Sequence, residues 1–483
     1  MNITDALSQS SQLLSRYWGW LVLLAWGAAL LGLDVIRTDS FGLDEGAARS
    51  LVLSWSIADR VLNPLIPLGI PDIRALLFIP AGLYWPGSVF AAKVFTLLIA
   101  FGAGTLFYMW CKRTADAETA TVATGLLLVS PLLIDQIDAL HAGVFLLFAF
   151  ALGGWIEKRH REVNLPMGGW FFIQLFWAGA TMTLHPAGLA LTLALAWYWY
   201  RNPADATQQR QMFIGLLVVT TLVLGIRGGW HFVEWLQDPF TSLSQIYNFY
   251  PLQATESNWV GGVGLALLAL SIIWADRRFL ATDFIGTVLL IGIITGLAVA
   301  DMAWATLVVT LVLYRGTAYL IRWNRRSTMP PALSKGIAFA VGLLLATSFM
   351  LTDKTRALAV ENAQLSPTDQ LIRMLAEEAT DPEKPFRAAS QWPGRTMIVT
   401  KREVYPLPPP AANEQQLLEM ISRMTHLVFD HLDPDNRALG QQLALLAGMT
   451  RTLTIQDGGV IVQVVNTDSP PPLDPPATGN AEQ

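Results

Sequence analysis

Apolar runs long enough, or nearly long enough, to cross a membrane recur along most of this chain. The hydrocarbon core of a bilayer is about 30 Å thick, which a helix of roughly 20 apolar residues spans. Apolar residues make up 53% of the 483 residues and charged residues only 14%, against about 25% charged in a soluble domain. These features exclude a soluble enzyme. The sequence predicts eleven membrane helices, centred near Ala25, Ala100, Leu126, Leu147, Phe176, Leu193, Val219, Leu267, Ile291, Val309 and Leu343.

Lys and Arg are confined to alternate short turns between these runs. The turns on one side contain Lys112–Arg113, Lys158–Arg161, Arg201–Arg210, Arg277–Arg278 and Arg322–Arg326. The turns on the other side, around 135–141, 185–186 and 301, contain neither Lys nor Arg. Cytoplasmic loops carry the excess of Lys and Arg, so we predict a cytoplasmic N-terminus and a C-terminal part outside.

The topology divides the chain into three parts. Residues 1–351 are predicted to form an all-α polytopic membrane domain with a first outside loop at 34–93 and a second at 227–259. Residues 352–466 are predicted to form a small periplasmic α+β domain, and 467–483, rich in Pro and Asp, a disordered tail. Within the first loop, residues 73–87 are too short and too interrupted by Pro and Gly to span easily, which favours a helix lying in the outer interface.

The region after 352 contains start signals for helices and strands. Ser366 is predicted to cap a helix that continues to Ala379. Further along, the patterns predict a strand at Arg395–Val404 and helices at Asn413–Leu432 and Pro434–Met449. A hairpin is predicted to follow, formed by Thr452–Gln456 and Val460–Val465.

Charge and cysteine content exclude several further classes. Residues 352–483 carry 11 Lys or Arg against 17 Asp or Glu, and no basic tract occurs elsewhere, so we expect no nucleic-acid partner. The chain has one cysteine, Cys111, which excludes an intrachain disulfide and a cysteine-based metal cluster.

The first outside loop combines carboxylates with cations. Asp44 and Glu45 lie about ten residues beyond the first predicted span. The cations that follow in the same loop are Arg49, Arg60, Arg74 and Lys93. This combination suits sugar transfer from a lipid phosphate to a hydroxyl. Phosphate is a good leaving group, so the reaction needs one base for the acceptor hydroxyl and cations for the charge that develops on the phosphate.

The same residues have a structural interpretation. Asp44 and Glu45 can cap a helix that begins near Gly46, because acidic residues are favoured at helix N-termini. Arg49 and Arg60 would then anchor the helix to lipid headgroups. From these residue types alone, the two interpretations stay open.

Other polar residues fall in the remaining outside segments. Asp135, Asp138 and His141 are candidates for substrate binding, and their spacing differs from the Asp-x-Asp of metal sites, so a hydrogen-bonded helix end is favoured over a metal site. Arg227 and His231 begin the second outside loop. Arg227 is a candidate phosphate ligand and His231 a candidate substrate ligand, although a plain interface anchor fits both. We predict no metal ligands and no certain cofactor.

The order of these features resembles the GT-C superfamily of integral membrane glycosyltransferases. The likeness is to bacterial dolichyl-phosphate-mannose-type protein mannosyltransferases and the lipid A aminoarabinose transferase. It rests on Asp44-Glu45-Gly46-Ala47, on Asn63-Pro64-Leu65, with one proline where the family has two, and on Ala91-Ala92-Lys93-Val94, with Lys in place of Arg.

The resemblance implies an activity and a location. Asp44 would be the catalytic base, Glu45 would shape the site or bind the acceptor, and a polyprenyl-phosphate-linked sugar would be the donor. The acceptor would be a lipid, glycan or protein. The reaction would invert the sugar's configuration at the outer face of a bacterial inner membrane, among the membrane lipids.

Three alternatives remain at the level of sequence. A non-catalytic membrane subunit could keep the fold and lose the chemistry, and an O-antigen ligase or polymerase would need Arg and His in a late outside loop. A transporter or flippase usually places ionisable residues in mid-span. Here nearly every charge lies at a predicted helix end, which disfavours transport.

Overall fold

The computed structural model describes about three fifths of the chain. The described residues are 26, 36–59, 73–115, 117–163, 167–185, 188–201, 206–226, most of 310–322, parts of 340–358, 365–380, 385–446, 449–456 and 459–464. The predicted spans centred near Ala25, Leu267, Ile291 and Val309, and the predicted tail at 467–483, lie outside these residues.

The described residues before 227 are helical apart from the loop at 36–44 and short turns. The helices are α1 Glu45–Asp59, α2 Arg74–Leu77, α3 Ile79–Tyr84, α4 Val89–Thr114, α5 Ala117–Leu128, α6 Pro131–Asp138, α7 Ala142–Val163, α8 Met167–Leu184, α9 Gly188–Arg201 and α10 Ala206–Ile226. Ser88 caps α4 by accepting the Ala91 N–H at 3.2 Å, and Pro131 supplies the first position of α6, as expected for helix starts.

Helix α4 is long and apolar enough to cross a membrane. The broken pair α5 and α6, bent by 49° between Leu128 and Pro131, would make a second span if it counts as one. Within the described part of the chain, the apolar stretches of the other helices are shorter than 18 residues. The number eleven therefore stays a prediction.

Aromatic side chains bring these helices close together. Helix α4 packs on α5 and α7. The indole of Trp110 on α4 lies so close to Gly154 that a Cβ added to this glycine would stand only 2.8 Å from the ring. Gly153 leaves the same room for Trp177, whose Nε1 donates to the Ala149 carbonyl at 2.7 Å. Small residues permit such close approach between membrane helices. Cys111 is buried on α4.

Residues 73–87, the described part of the chain between α1 and α4, contain two short helices with an exposed apolar face. Leu76, Leu83, Tyr84 and Trp85 are 61%, 59%, 76% and 61% exposed. Short helices at this place agree with the sequence. Exposed aromatic and leucine side chains are typical of a segment at headgroup depth, and the interfacial position itself stays a prediction.

The chain divides into two compact units, one of Met1–Ser54 with Ile70–Gln364 and one of Trp55–Gly69 with Leu365–Gln483. The second contains α11 Pro367–Glu378, β1 Ala388–Ser390, α12 Pro393–Thr400, β2 Val404–Pro406, α13 Glu414–Ile421, β3 His426–Asp430, α14 Pro434–Leu445, β4 Thr450–Gln456 and β5 Gly459–Val464.

A five-stranded sheet organises the second unit. Its order is β2-β1-β3-β5-β4, with β1 parallel to both β2 and β3 and with β5 antiparallel to β3 and β4. A hydrophobic core on one face joins Leu427 and Phe429 of β3 to Leu417 of α13 and Leu443 of α14. On the other side α11 contacts both α12 and β5, so helices cover both faces of the sheet.

Two sequence-based assignments in this unit are wrong. The strand predicted at Arg395–Val404 is mostly helix α12, because Pro393 starts a helix that buries Met397 and Ile398. The helix predicted at Asn413–Leu432 ends at Ile421, and its second half contains β3. β3 is covered on both faces, so it lacks the alternation that marks a strand. The predicted hairpin is confirmed as β4 and β5.

The Ser366 cap provides a test of the second unit. Its Oγ accepts the Asp369 N–H at 3.1 Å and donates to the Asp369 carboxylate at 2.8 Å. We expect Ser366→Ala to lower the free energy of unfolding by about 1 kcal/mol, measured by thermal unfolding in detergent. Ser422→Ala, which removes an exposed hydroxyl at the end of α13, is the control. Equal stability of the two variants would contradict the prediction.

Candidate active site

Asp44 immediately precedes α1 and caps it. Its Oδ2 accepts the Ala47 N–H at 2.9 Å and its carbonyl accepts the Ala48 N–H at 2.8 Å. The structural interpretation of the sequence, a capping acid, is therefore correct for Asp44. The capping geometry holds the carboxylate in one orientation, which is also what a catalytic base needs.

Arg74 on α2 pairs with this carboxylate. Its Nη1 lies 3.2 Å from Asp44 Oδ2 and 3.1 Å from the carbonyl oxygen of Leu140. The side chain of Arg74 is only 5% exposed, whereas that of Asp44 is 30% exposed. The guanidinium therefore lies under the carboxylate, which keeps a face toward solvent.

The surroundings of Asp44 keep it ionised. Burial alone would raise the pKa of its carboxyl group, but the charges of Arg74 and His141 and the Ala47 N–H act in the opposite direction and outweigh it. The pKa of Asp44 is lowered below its ordinary value of 3.8. At neutral pH the site therefore presents a carboxylate that can accept a proton or a hydrogen bond.

Two histidines lie at the same end of the helices. The ring centroids of His141 and His185 are 6.1 Å apart. His141 precedes α7, and its Nδ1 accepts the Gly143 N–H at 3.3 Å. His185 follows α8, and its carbonyl accepts the Gly188 N–H at 2.8 Å in the turn to α9. Both imidazoles are half-buried, so one half-exposed region brings together a carboxylate and two imidazoles.

A buried ion pair lies behind this region. The Nζ of Lys93 on α4 lies 2.9 Å from Oδ1 of Asp138 on α6, and the two side chains are 0% and 2% exposed. The same Nζ donates to the Arg37 carbonyl at 2.9 Å. Removing one partner of a buried pair typically costs about 3–5 kcal/mol, so these groups strongly constrain the elements that carry them.

The loop that leads to Asp44 wraps around this pair. The Arg37 N–H donates to Asp138 Oδ1 at 2.8 Å, and its guanidinium pairs with Asp39 at 2.7 Å. Gly42 has φ +75°, and a Cβ there would lie 3.8 Å from Asp138 Oδ2. Residues with a Cβ rarely adopt this backbone conformation, so glycine allows the loop to turn here toward Asp44.

The turn between α6 and α7 holds both Asp44 and Arg74 through backbone carbonyls. The carbonyl of Ala139 accepts the Asp44 N–H at 2.9 Å, and the next carbonyl, of Leu140, accepts from Arg74. Leu140 has φ 56°, a left-handed conformation that costs a non-glycine residue of order 1 kcal/mol. Such strained residues persist where their surroundings over-determine them, often at functional sites.

The structure brings together part of the predicted set. Asp44, Arg74 and His141 lie at one place. Glu45 and Arg49 form an i,i+4 ion pair along α1 at 2.7 Å, with side chains 20% and 37% exposed. The remaining candidate on α6, Asp135, is half-buried. Three predicted site residues lie outside the described residues: Arg60, Arg227 and His231.

Lys93 and Asp138 occupy places that differ from the sequence-based expectation. The sequence predicts Lys93 as a phosphate ligand and Asp138 as a substrate ligand. Both side chains are buried, and the ammonium already donates to two oxygens. The contacts described for this pair are with the loop at Arg37, and its direct binding of phosphate or sugar stays a prediction.

Sequence reasoning missed two contributors to the region. His185 is absent from the predicted site, and its one signal in the sequence is its position in a predicted outside turn without Lys or Arg. The Leu140 carbonyl, which accepts from Arg74, could not be predicted because its position depends on a positive φ, and no pattern in the sequence indicates one there. Among the described residues, no group of three or more His, Cys, Asp or Glu is placed to hold a metal ion.

Comparison with known structures identifies the fold. The chain is similar to ArnT from Cupriavidus metallidurans bound to undecaprenyl phosphate, with a TM-score of 0.57, 12% identity, and coverage of 93% of this chain and 97% of that one. It is also similar to the Archaeoglobus fulgidus oligosaccharyltransferase in complex with Zn and sulfate, with a TM-score of 0.53, 13% identity, and coverage of 85% and 68%.

These two structures are GT-C glycosyltransferases. The resemblance predicted from the first outside loop is therefore confirmed at the level of the fold. No protein-family model and no curated protein sequence matches the chain.

Gly46 tests the packing between Asp44 and Arg74. A Cβ at Gly46 would lie 2.9 Å from Arg74 Nη2 and 3.2 Å from Asp44 Oδ2. Alanine normally stabilises a helix by up to about 1 kcal/mol over glycine. At Gly46 we expect that gain to be cancelled or reversed because the new methyl group displaces the guanidinium.

Gly125→Ala is the matched control, because a Cβ at Gly125 on α5 has no neighbour within 4 Å. Thermal unfolding of the two variants in detergent should show Gly125→Ala at least as stable as wild type and Gly46→Ala less stable than Gly125→Ala. A gain in stability at Gly46 equal to that at Gly125 would show that the pair tolerates the methyl group.

Proposed function

We propose that this protein is a membrane glycosyltransferase that transfers a sugar from a polyprenyl-phosphate donor to a hydroxyl acceptor. The observation that carries the proposal is the partly exposed Asp44 carboxylate, fixed by a helix cap and by buried Arg74. It occurs at the first loop of a chain with the fold of GT-C glycosyltransferases.

Asp44 would act as the base in a single displacement. As the acceptor oxygen attacks the anomeric carbon, its O–H proton passes to the Asp44 carboxylate, and the bond from carbon to the phosphate oxygen breaks. The electron pair leaves with the phosphate. A carboxylate with a lowered pKa suffices, because the phosphate leaves readily and the hydroxyl loses its proton as the new bond forms. A single displacement inverts the anomeric configuration.

Arg74 and Arg49 are the described cations assigned to the departing phosphate. Guanidinium groups suit phosphate oxygens because their N–H groups form parallel charge-assisted hydrogen bonds. Arg74 is next to the base, whereas Arg49 lies one helical turn along α1, held by Glu45. Arg60 and Arg227 keep their proposed role in phosphate binding, and Glu45 would shape the acceptor side. His141, Asp135 and His231 remain candidate substrate ligands.

The donor class is supported by the comparison and by the surface near the site. ArnT from Cupriavidus metallidurans was solved with undecaprenyl phosphate. In this chain α2 and α3, which follow the loop of Asp44, expose leucine and aromatic side chains that suit contact with lipid. We place the reaction at the outer face of a bacterial inner membrane, with the α+β domain at 352–466 periplasmic. The acceptor is a lipid, glycan or protein.

The base assignment is tested by Asp44→Asn in the purified full-length protein. Asparagine also caps helices well, so folding should be kept while the proton acceptor is lost. We expect release of free polyprenyl phosphate, measured across a panel of polyprenyl-phosphate sugars and acceptors, to fall at least about 100-fold.

Glu419→Gln, an exposed carboxylate-to-amide change on α13, is the control and should keep wild-type turnover. An Asp44→Asn protein with near-normal release would rule out Asp44 as the base. Absence of release by the wild type on every donor would instead favour the non-catalytic subunit.

The lowered pKa of Asp44 predicts the position of the acid limb. The base is active when deprotonated, so activity is lost only as the pH falls through its folded pKa, below 3.8. We therefore expect kcat/KM to show no acid limb from Asp44 between pH 5 and 7. A loss of activity in that range that persists in His141→Asn would indicate that the pKa of Asp44 is not lowered.

A further inference from the structure

The buried pair of Lys93 and Asp138 connects the two segments that hold the proposed base and its arginine. Asp138 Oδ1 receives the Arg37 N–H at 2.8 Å and the Lys93 ammonium at 2.9 Å, and the ammonium also binds the Arg37 carbonyl. The backbone of Arg37 is thus fixed through both of its polar groups. Seven residues later the same loop ends at Asp44.

The residues that follow Asp138 bind the other side of the site. Ala139 accepts the Asp44 N–H, and Leu140 accepts from Arg74. The Asp138 carboxylate therefore joins the loop that carries Asp44 to the turn that holds both Asp44 and Arg74. Leu140 keeps a left-handed conformation in this turn, which requires its neighbours to be well anchored.

We propose that Lys93 and Asp138 act together as positioning residues, which set the place of Asp44 and Arg74 without touching the substrate. The inference rests on the proposed function, since the positions it concerns are those of the proposed base and its arginine. It differs from the role of phosphate ligand that the sequence suggests for Lys93. The buried ammonium acts through Asp138 and Arg37, and the phosphate meets other cations.

A positioning role and a direct phosphate-binding role predict different stability, kcat and donor binding for four proteins. These are wild type, Lys93→Met, Asp138→Asn and the double variant. Each single change leaves an uncompensated group in the interior, so each should lower the unfolding temperature. The double variant removes both charges and should recover most of that loss. If the pair only stabilises the fold, the double variant recovers turnover together with its stability.

If the pair positions the base, the double variant is stable but its kcat remains about 10-fold to 100-fold below wild type, because small displacements of a catalytic group have effects of this size. KM for the donor and the Kd for undecaprenyl phosphate, measured by equilibrium binding to the full-length protein in detergent, should stay within about 2-fold of wild type in all four proteins.

If Lys93 binds the phosphate directly, the affinity for undecaprenyl phosphate changes instead. Lys93→Met and the double variant would then bind undecaprenyl phosphate at least about 10-fold more weakly, while Asp138→Asn would not. Recovery of kcat together with stability in the double variant would equally overturn the proposal. Tyr314→Phe removes a hydrogen bond to Thr114 at the other end of α4 and is the control, expected to keep wild-type kcat.

A measurement without substrate separates this inference from the proposed function. The Asp44 amide donates to Ala139, so its hydrogen exchange reports whether loop and turn remain joined. We expect faster exchange across 37–44 in the double variant than in Tyr314→Phe, even if no donor is turned over. Equal exchange in these two proteins would show that the pair does not position the loop.

Discussion

An ammonium group inside a helical bundle must be neutralised, and Asp138 does this for Lys93. The cost of an unpaired charge in this environment is high enough to decide where several backbone segments lie. Because the pair also binds both polar groups of the Arg37 backbone, the path of the chain toward Asp44 follows from the need to satisfy one buried cation. The strained turn at Leu140 is tolerated for the same reason.

Asp44 caps a helix and is also the proposed base, so one residue would serve structure and reaction together. The helix N-terminus and Arg74 hold the carboxylate ionised and oriented, and its remaining exposed surface faces outward. A preorganised charged group loses little energy to reorientation during a reaction. The stabilising contacts would therefore also prepare the carboxylate for the proposed reaction, and the capping and catalytic interpretations of the sequence are compatible.

Much of the fold could be predicted because membrane helices and caps leave strong local signals. Length and apolarity indicate α4, Ser366 indicates the start of α11, and the Asp-Glu pair indicates the proposed site in the first loop. The failures have physical causes. The apolar residues of α12 and β3 are buried by neighbours on more than one side, so their periodicity is weak. The pairing of Lys93 with Asp138 joins residues 45 positions apart, a distance at which residue types alone say nothing about contact.

The single thiol of this chain has a practical consequence for spectroscopy. Cys111 is buried on α4, and no other cysteine occurs in the sequence. A cysteine introduced on the exposed side of the first loop would then be the one accessible site for a spin label or fluorophore. The distance from such a label to a second one on an exposed position of α8 would follow movement of the loop directly, without removal of native cysteines.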